Sequence, residues 1–166
     1  MSVNESTIVL FLENAAKSAA ITHRAESAGD LRSILSEIVA QDADVFCPQA
    51  TEIEKNAAAG LARLVPEYAA AQVTVEEVSA AIAETGSIVC CSSAGKAVQA
   101  SLLPSRHVAI VPRGRIFATL DDFMAGQAAA PPTNLTIITG PSRTADIELN
   151  LVIGVHGPER LDIIVV

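Results

Sequence analysis

Apolar residues recur at helical spacing twice near the start of the chain. The first series is Ile8, Phe11, Leu12, Ala15 and Ala19, and the second is Ala28, Leu31, Ile34, Leu35, Ile38 and Val39. Ser27 is placed to cap the second helix, with Asp30 in its first turn, where a carboxylate suits the positive end of the helix dipole. Residues 44–47 read as a short strand stopped by Pro48. Residues 49–68 are rich in alanine and charge, with Gly60 and Pro66 as punctuation, and their pattern is partly helical at best. Thr74-Val-Glu-Glu77 has the form of a capping box, with Val73 and Val78 spaced as a hydrophobic staple. It predicts a helix whose apolar stripe is Val78, Ala81 and Ile82, ending at Thr85-Gly86.

Four short, β-branched runs follow, at 88–91, 108–111, 135–138 and 161–166. None alternates cleanly between apolar and polar, the mark of strands buried on both faces. Helical segments between several of them imply crossover units. The expected architecture is a single α/β domain over residues 1–166, three layers deep, with a largely parallel sheet between helices. Pro131-Pro132 marks a loop before the third run. The last quarter reads as strand, turn, helix, turn, strand: Ser142 or Thr144 caps a helix running to about Ile153, Gly154 closes it, and a Gly-bracketed turn carries His156.

Composition narrows the function. Half of the 166 residues are hydrophobic, 3% are aromatic, and the net charge is -8 with a pI near 4.8. That balance argues against nucleic acid and anionic membrane as partners. Neither a secretory leader nor roughly 18 uninterrupted apolar residues is visible, so a cytoplasmic location is expected. Cys47, Cys90 and Cys91 offer no disulfide framework. Adjacent in a strand, Cys90 and Cys91 should face opposite ways, and they read as small buried hydrophobes; no metal site is expected in this chain.

Acidic residues are absent from Thr85 to Leu120, where Lys96, Arg106, Arg113 and Arg115 all fall. Ligands of open parallel sheets bind at the carboxyl ends of strands. Those ends hold Ser92, Gly95 and Lys96 after the first run, Arg113 after the second, and Gly140, Ser142 and Arg143 after the third. If the strands are neighbours, these loops share one lip and make a site for a small anion. The alternative is that the cations sit on a solvated rim and pair with acidic surface. Asp146 and Glu148 lie two apart and are a poor pair for one metal, so helix-start electrostatics weighs nearly as much as a ligand role. Glu84, at the end of the expected helix, conflicts with the dipole there, which points to a specific partner or function. No P-loop, Gly-x-Ser-x-Gly, His-Glu-x-x-His or Gly-x-Gly-x-x-Gly is present.

Several of these segments together resemble the LUD domain, specifically the lactate-utilisation protein C family. They are Ala81-Ile-Ala-Glu-Thr-Gly-Ser-Ile-Val89, Ser101-Leu-Leu-Pro104 with His107, Thr139-Gly-Pro-Ser-Arg-Thr-Ala-Asp-Ile-Glu148, and Gly154-Val-His-Gly-Pro158. The resemblance runs from about residue 74 to 166. It implies a fold like that of the 5-formyltetrahydrofolate cyclo-ligase and CoA-transferase superfamily. It also implies oxidation of L-lactate to pyruvate alongside partner subunits that carry the iron–sulfur clusters. The family's polar positions fall on Glu84, Thr85, His107, Ser142, Arg143, Thr144, Asp146, Glu148 and His156. Glu84 and His156 are the catalytic candidates. Thr85, Gly86, Ser92, Gly95, Lys96, His107, Arg113, Gly140, Ser142, Arg143, Thr144, Asp146 and Glu148 are the ligand-binding ones. A homo-oligomer is left open. The competing readings are a stand-alone enzyme of the cyclo-ligase or CoA-transferase kind, with Glu84 acting on a nucleotide or activated carboxylate, and a structural scaffold.

Overall fold

A computed structural model describes residues 4–92, 98–127, 131–145, 151–153 and 157–166. The two helical patterns form where they are expected. Helix α1 (Glu5–Lys17) is capped by the Asn4 side chain and buries Ile8, Phe11 and Ala15. Strand β1 (Ile21–Arg24) follows, then α2 (Ala28–Ile38), where Ser27 Oγ accepts the Asp30 N–H at 3.1 Å. The strand expected before Pro48 is β2 (Val45–Phe46). The weakly patterned stretch after it holds α3 (Glu52–Ala58), opened by a complete capping box between Thr51 and Glu54.

Strands β3 (Val73–Glu77), β6 (Arg106–Val111) and β11 (Arg160–Val165) complete a five-stranded sheet in the order β1-β11-β6-β3-β2, and every pairing in it is parallel. On one face Val73, Val75, Val108, Ile110 and Ile164 pack against Leu31 and Leu35 of α2 and Ala57 of α3. Burial of each such aliphatic side chain contributes roughly 1.5–3 kcal/mol. On the other face Ala109, Val111, Leu161, Ile163 and Val165 meet α1 and a second sheet.

That second sheet is made from the crossovers of the first. Between β3 and β6 the chain lays down β4 (Ala80–Ile82) and β5 (Ser87–Cys91). Between β6 and β11 it lays down β7 (Ile116–Phe117), helix α4 (Leu120–Gln127), β8 (Leu135–Ile138) and an antiparallel hairpin of β9 (Arg143–Ala145) and β10 (Leu151–Ile153). The order is β7-β4-β5-β8, with β4–β5 and β5–β8 antiparallel. Phe123 of α4 covers its outer face with Ala80, Ile82 and Val89.

Three expectations are corrected here. The four apolar runs do not share one parallel sheet: 108–111 and 161–166 do, but 88–91 and 135–138 pair antiparallel in the second sheet. The Thr74–Glu77 segment is strand β3, and the chain continues as β4 with no helix between them. Val73, Val75 and Glu77 face α3 while Thr74, Glu76 and Val78 face inward, so burial on both sides overrides the local capping signal. Nor does a helix start at Ser142 or Thr144. Residues 143–145 instead form a strand paired antiparallel with 151–153. Gly154, the expected helix cap, lies outside the described residues.

Candidate functional site

The expected lip does not form. Ser142 sits at the amino end of the parallel sheet, its N–H donating to Pro158 O just ahead of β11. Arg113 sits beyond the carboxyl end of β6, its N–H donating to Val166 O. The six residues of β6 separate these ends by roughly 20 Å at about 3.3 Å each. Ser92 is remote from Ser142 for a different reason: β5 and β8 are antiparallel, so Ser92 exchanges hydrogen bonds with Asn134 at the opposite end of β8 from Gly140. Gly95, Lys96, Asp146, Glu148 and His156 lie outside the described residues.

The described cations of the basic window are paired with acids. Arg113 meets Glu26 at 2.6 Å, Arg115 meets buried Glu77 at 3.0 Å, and Arg106 donates to Asp162 at 2.9 Å. Asp162 is fully buried, and Arg160 donates to both of its oxygens, at 2.9 and 3.0 Å. Burial alone would push this carboxyl up; the hydrogen bonds and charges of Arg160 and Arg106 outweigh that and hold it below the usual carboxylate range.

The motif around Glu84 works on the chain itself. It forms the β4–β5 turn, in which Gly86 has φ +67° and packs so close that a Cβ there would come within 2.1 Å of Ala15 N on α1. Asn14 donates to the carbonyls of Ala83 and Glu84, locking the turn to the helix. The exposed Glu84 carboxylate accepts the Leu120 N–H at 2.7 Å, at the first turn of α4. The dipole conflict expected at Glu84 therefore has a different resolution: the residue ends no helix and sits at the favourable end of another. Thr85, Ser87 and Thr139 are joined by two hydroxyl contacts of 2.7 Å, tying this turn to the end of β8. Gly140 and Arg143 then fasten the chain to the carboxyl end of α1. Gly140 has φ +73°, and Arg143 donates to Ser18 O at 3.1 Å. Thr144 is in β9.

Between β8 and the amino ends of β6 and β11 lies a hollow of about 260 Å³. His107, Thr139, Gly140, Ser142, Gly157 and Leu161 contribute to its wall. It gathers three expected ligand-binding residues, His107, Gly140 and Ser142, at the end of the parallel sheet opposite to the expected one. Gly157 permits the close approach of Ser142, whose Cβ would be 3.1 Å from a side chain there. A second hollow of about 230 Å³ lies at the carboxyl end of β1, between Ala25, Ser27, Leu31 and Ile53.

His107 is the chemically distinctive group of the first hollow. It is 1% exposed, on β6, facing the inner layer beside Leu161. Its Nε2 lies 3.1 Å from Glu76 Oε1, within ion-pair reach but without hydrogen-bond alignment, and neither ring nitrogen has a hydrogen-bond partner among the described residues. Glu76 is also buried and accepts a hydrogen bond from Ser101 Oγ. Cys90 approaches from β5: one donor atom each of Glu76, Cys90 and His107 lies within 4.8 Å of the other two. Cys91 packs in the outer cluster instead, so the two cysteines do face opposite ways, and no cysteine is in a disulfide. None of Glu76, Cys90 and Ser101 is a site candidate in the sequence, where Cys90 reads as a small buried hydrophobe. The usable signal was Glu76 in an otherwise apolar, β-branched stretch, which the capping-box interpretation absorbed.

Comparison with known proteins places this geometry. The family model for the LUD domain matches residues 57–166, which include His107 and most of the first hollow's wall but exclude most of the second hollow's wall. Proteins named lactate utilization protein C are similar to part of the chain. That of Halalkalibacterium halodurans is 36% identical over 110 residues, covering 63% of this chain and 48% of that protein. Those of Macrococcus caseolyticus and Bacillus subtilis are 40% and 38% identical, over 61% and 60% of this chain and 46% and 43% of theirs. The chain thus spans about half the length of these curated relatives. The crystal structure of a DUF162 family protein from Deinococcus radiodurans superposes with a TM-score of 0.74 over 96% of both chains at 21% identity, which establishes the shared α/β fold. With its inner hollow inside the matched region, this chain belongs to the LUD domain family.

Proposed function

We propose that the chain serves lactate utilisation and that the hollow beside His107 holds a small 2-hydroxy or 2-keto carboxylate. The observation that carries this is His107 itself: a buried imidazole in the wall of that hollow, beside a buried carboxylate, with no hydrogen-bond partner among the described residues. The hollow is smaller than the roughly 300–1,000 Å³ typical of sites for drug-sized ligands, which suits a three-carbon acid. Thr139 and Ser142 supply hydroxyl donors, and the ring of His107 is placed to exchange a proton with a substrate hydroxyl. The names of the relatives supply the substrate class. In this reading the protein is cytoplasmic and works beside iron–sulfur partner subunits, since three cysteines cannot supply four thiolates for a cluster. What this chain contributes is binding, orientation and proton handling. Its parallel sheet, with α2 and α3 on one face and α1 with a second sheet on the other, also supports kinship with the cyclo-ligase and CoA-transferase superfamily.

Calorimetric titration with L-lactate and with pyruvate tests the reading. Saturable binding is expected, weakened about tenfold or more by His107→Gln and by Ser142→Ala, and unchanged by Arg113→Ala at the far end of the sheet. Absence of saturable binding by both acids, or an equal loss in Arg113→Ala, would overturn it.

A further inference from the structure

We propose that Glu76, Cys90 and His107 form a binding site for one divalent transition-metal ion of the zinc class. Their donor atoms already lie within 4.8 Å of one another. Tetrahedral zinc with bonds of about 2.0–2.3 Å brings neighbouring donors to roughly 3.3–3.8 Å, so the closure needed is about 1 Å. One carboxylate oxygen, one thiolate and one imidazole form a donor set of mixed hardness. It suits zinc, and the sulfur disfavours magnesium and calcium. Three protein ligands leave the fourth position open, the pattern of zinc sites that bind an exchangeable ligand.

Further observations point the same way. All three side chains project from strands: Glu76 and His107 from neighbouring β3 and β6, and Cys90 from β5 of the facing sheet. Donors held on rigid elements from two layers need little ordering when a metal binds. The charge also closes. A dication, the Glu76 carboxylate, a Cys90 thiolate and a neutral His107 sum to zero, which relieves the cost of keeping an anion in a wholly buried place. Binding converts the Cys90 thiol to the thiolate and releases one proton to solvent. Finally, Ser101 Oγ donates to Glu76 Oε1, the kind of supporting hydrogen bond that orients a ligating carboxylate. The imidazole, lacking a hydrogen-bond partner among the described residues, is the unsatisfied buried group that a metal would complete.

This site stands whether or not lactate binds, and its test uses no organic acid. The whole chain is treated with chelator under reducing conditions, dialysed and titrated with cobalt(II) as a spectroscopic substitute for zinc. One equivalent should bind, with a thiolate-to-cobalt charge-transfer band and the visible bands of tetrahedral cobalt, both abolished by added zinc. Cys90→Ala, whose fold is checked by circular dichroism, should lose the charge-transfer band and bind on the order of tenfold or more weakly. Glu76→Gln should weaken binding while keeping the band. Cys47→Ala and Cys91→Ala should leave both unchanged. Failure to bind one equivalent, persistence of the band in Cys90→Ala, or its loss in Cys47→Ala or Cys91→Ala would overturn the proposal. Lactate binding retained in metal-free Cys90→Ala would separate this site from the ligand reading above.

Discussion

Replacing Asp162 with asparagine should destabilise the protein far more than removing its half-exposed partner Arg160. Arg106 and Arg160 are register partners across β6 and β11, so two guanidinium groups meet on one face of the parallel sheet. Asp162, two residues along and 0% exposed, accepts one hydrogen bond from Arg106 and two from Arg160, with His23 Nε2 a further 3.4 Å away. Asp162→Asn preserves size but removes the charge and turns one acceptor into a donor aimed at donors. Arg106 is only 16% exposed, so its charge is left largely buried and uncompensated. Breaking a buried pair in this way costs about 3–5 kcal/mol, and the lower end applies here because Arg160 is 45% exposed and rehydrates. Arg160→Ala removes a half-exposed partner and should cost no more than about 1 kcal/mol. Without tryptophan, unfolding is best followed by circular dichroism in urea. At a slope of roughly 2 kcal/mol per molar, Asp162→Asn should lower the midpoint by about 1.5 M at pH 7. The folded carboxyl lies below its unfolded value of about 3.9, so its stabilisation is present above that pH and is lost as pH falls through the depressed folded value. The gap between wild type and variant should accordingly narrow as pH falls below about 4. A midpoint shift under 0.5 M (roughly 1 kcal/mol), or a gap independent of pH from 7 to 3, would refute the account.

The remaining predictions concern the turns around the hollow. Gly140→Ala should destabilise by at least about 2 kcal/mol, because φ is +73° and the new Cβ would lie 2.0 Å from Ser18 O; Gly126→Ala, in α4 with nothing within 4 Å, should be neutral or stabilising by up to about 1 kcal/mol. Thermal melts of the pair decide it, and equal shifts would count against the close packing described. Glu84→Ala should cost about 1 kcal/mol by leaving the Leu120 N–H without its acceptor, and Glu84→Gln should recover most of it. Equal losses in the two would mean that the charge matters more than the cap.

The sequence made the helices and the central strands legible because their patterns answer to one environment each. Leu31 and Leu35 fall on the buried stripe of α2, and β6 and β11 are apolar because both of their faces are covered. The capping signal shows where this reasoning stops. Thr51-Glu-Ile-Glu54 and Thr74-Val-Glu-Glu77 have the same spacing, yet only the first caps a helix. Glu54 satisfies the N–H groups of Ala50 and Thr51 and also that of Glu77, while Glu76 turns to His107 and Ser101. Those partners lie 25 to 31 residues away in sequence, so no local rule could find them. The candidate site was legible in its members His107, Gly140 and Ser142, but not in its place. That place depends on β5 and β8 running antiparallel, which short apolar runs do not encode.

The position of β11 bears on how the molecule comes into being. This strand, residues 160–165, is inserted between β1 and β6, so β1 gains its neighbour in the sheet only from this much later segment. A nascent chain halted before residue 160 would hold β1 as an unmatched ribbon and β6 with one bare flank, both open to association with other chains. Deleting residues 160–166 should therefore abolish the whole sheet instead of fraying one edge.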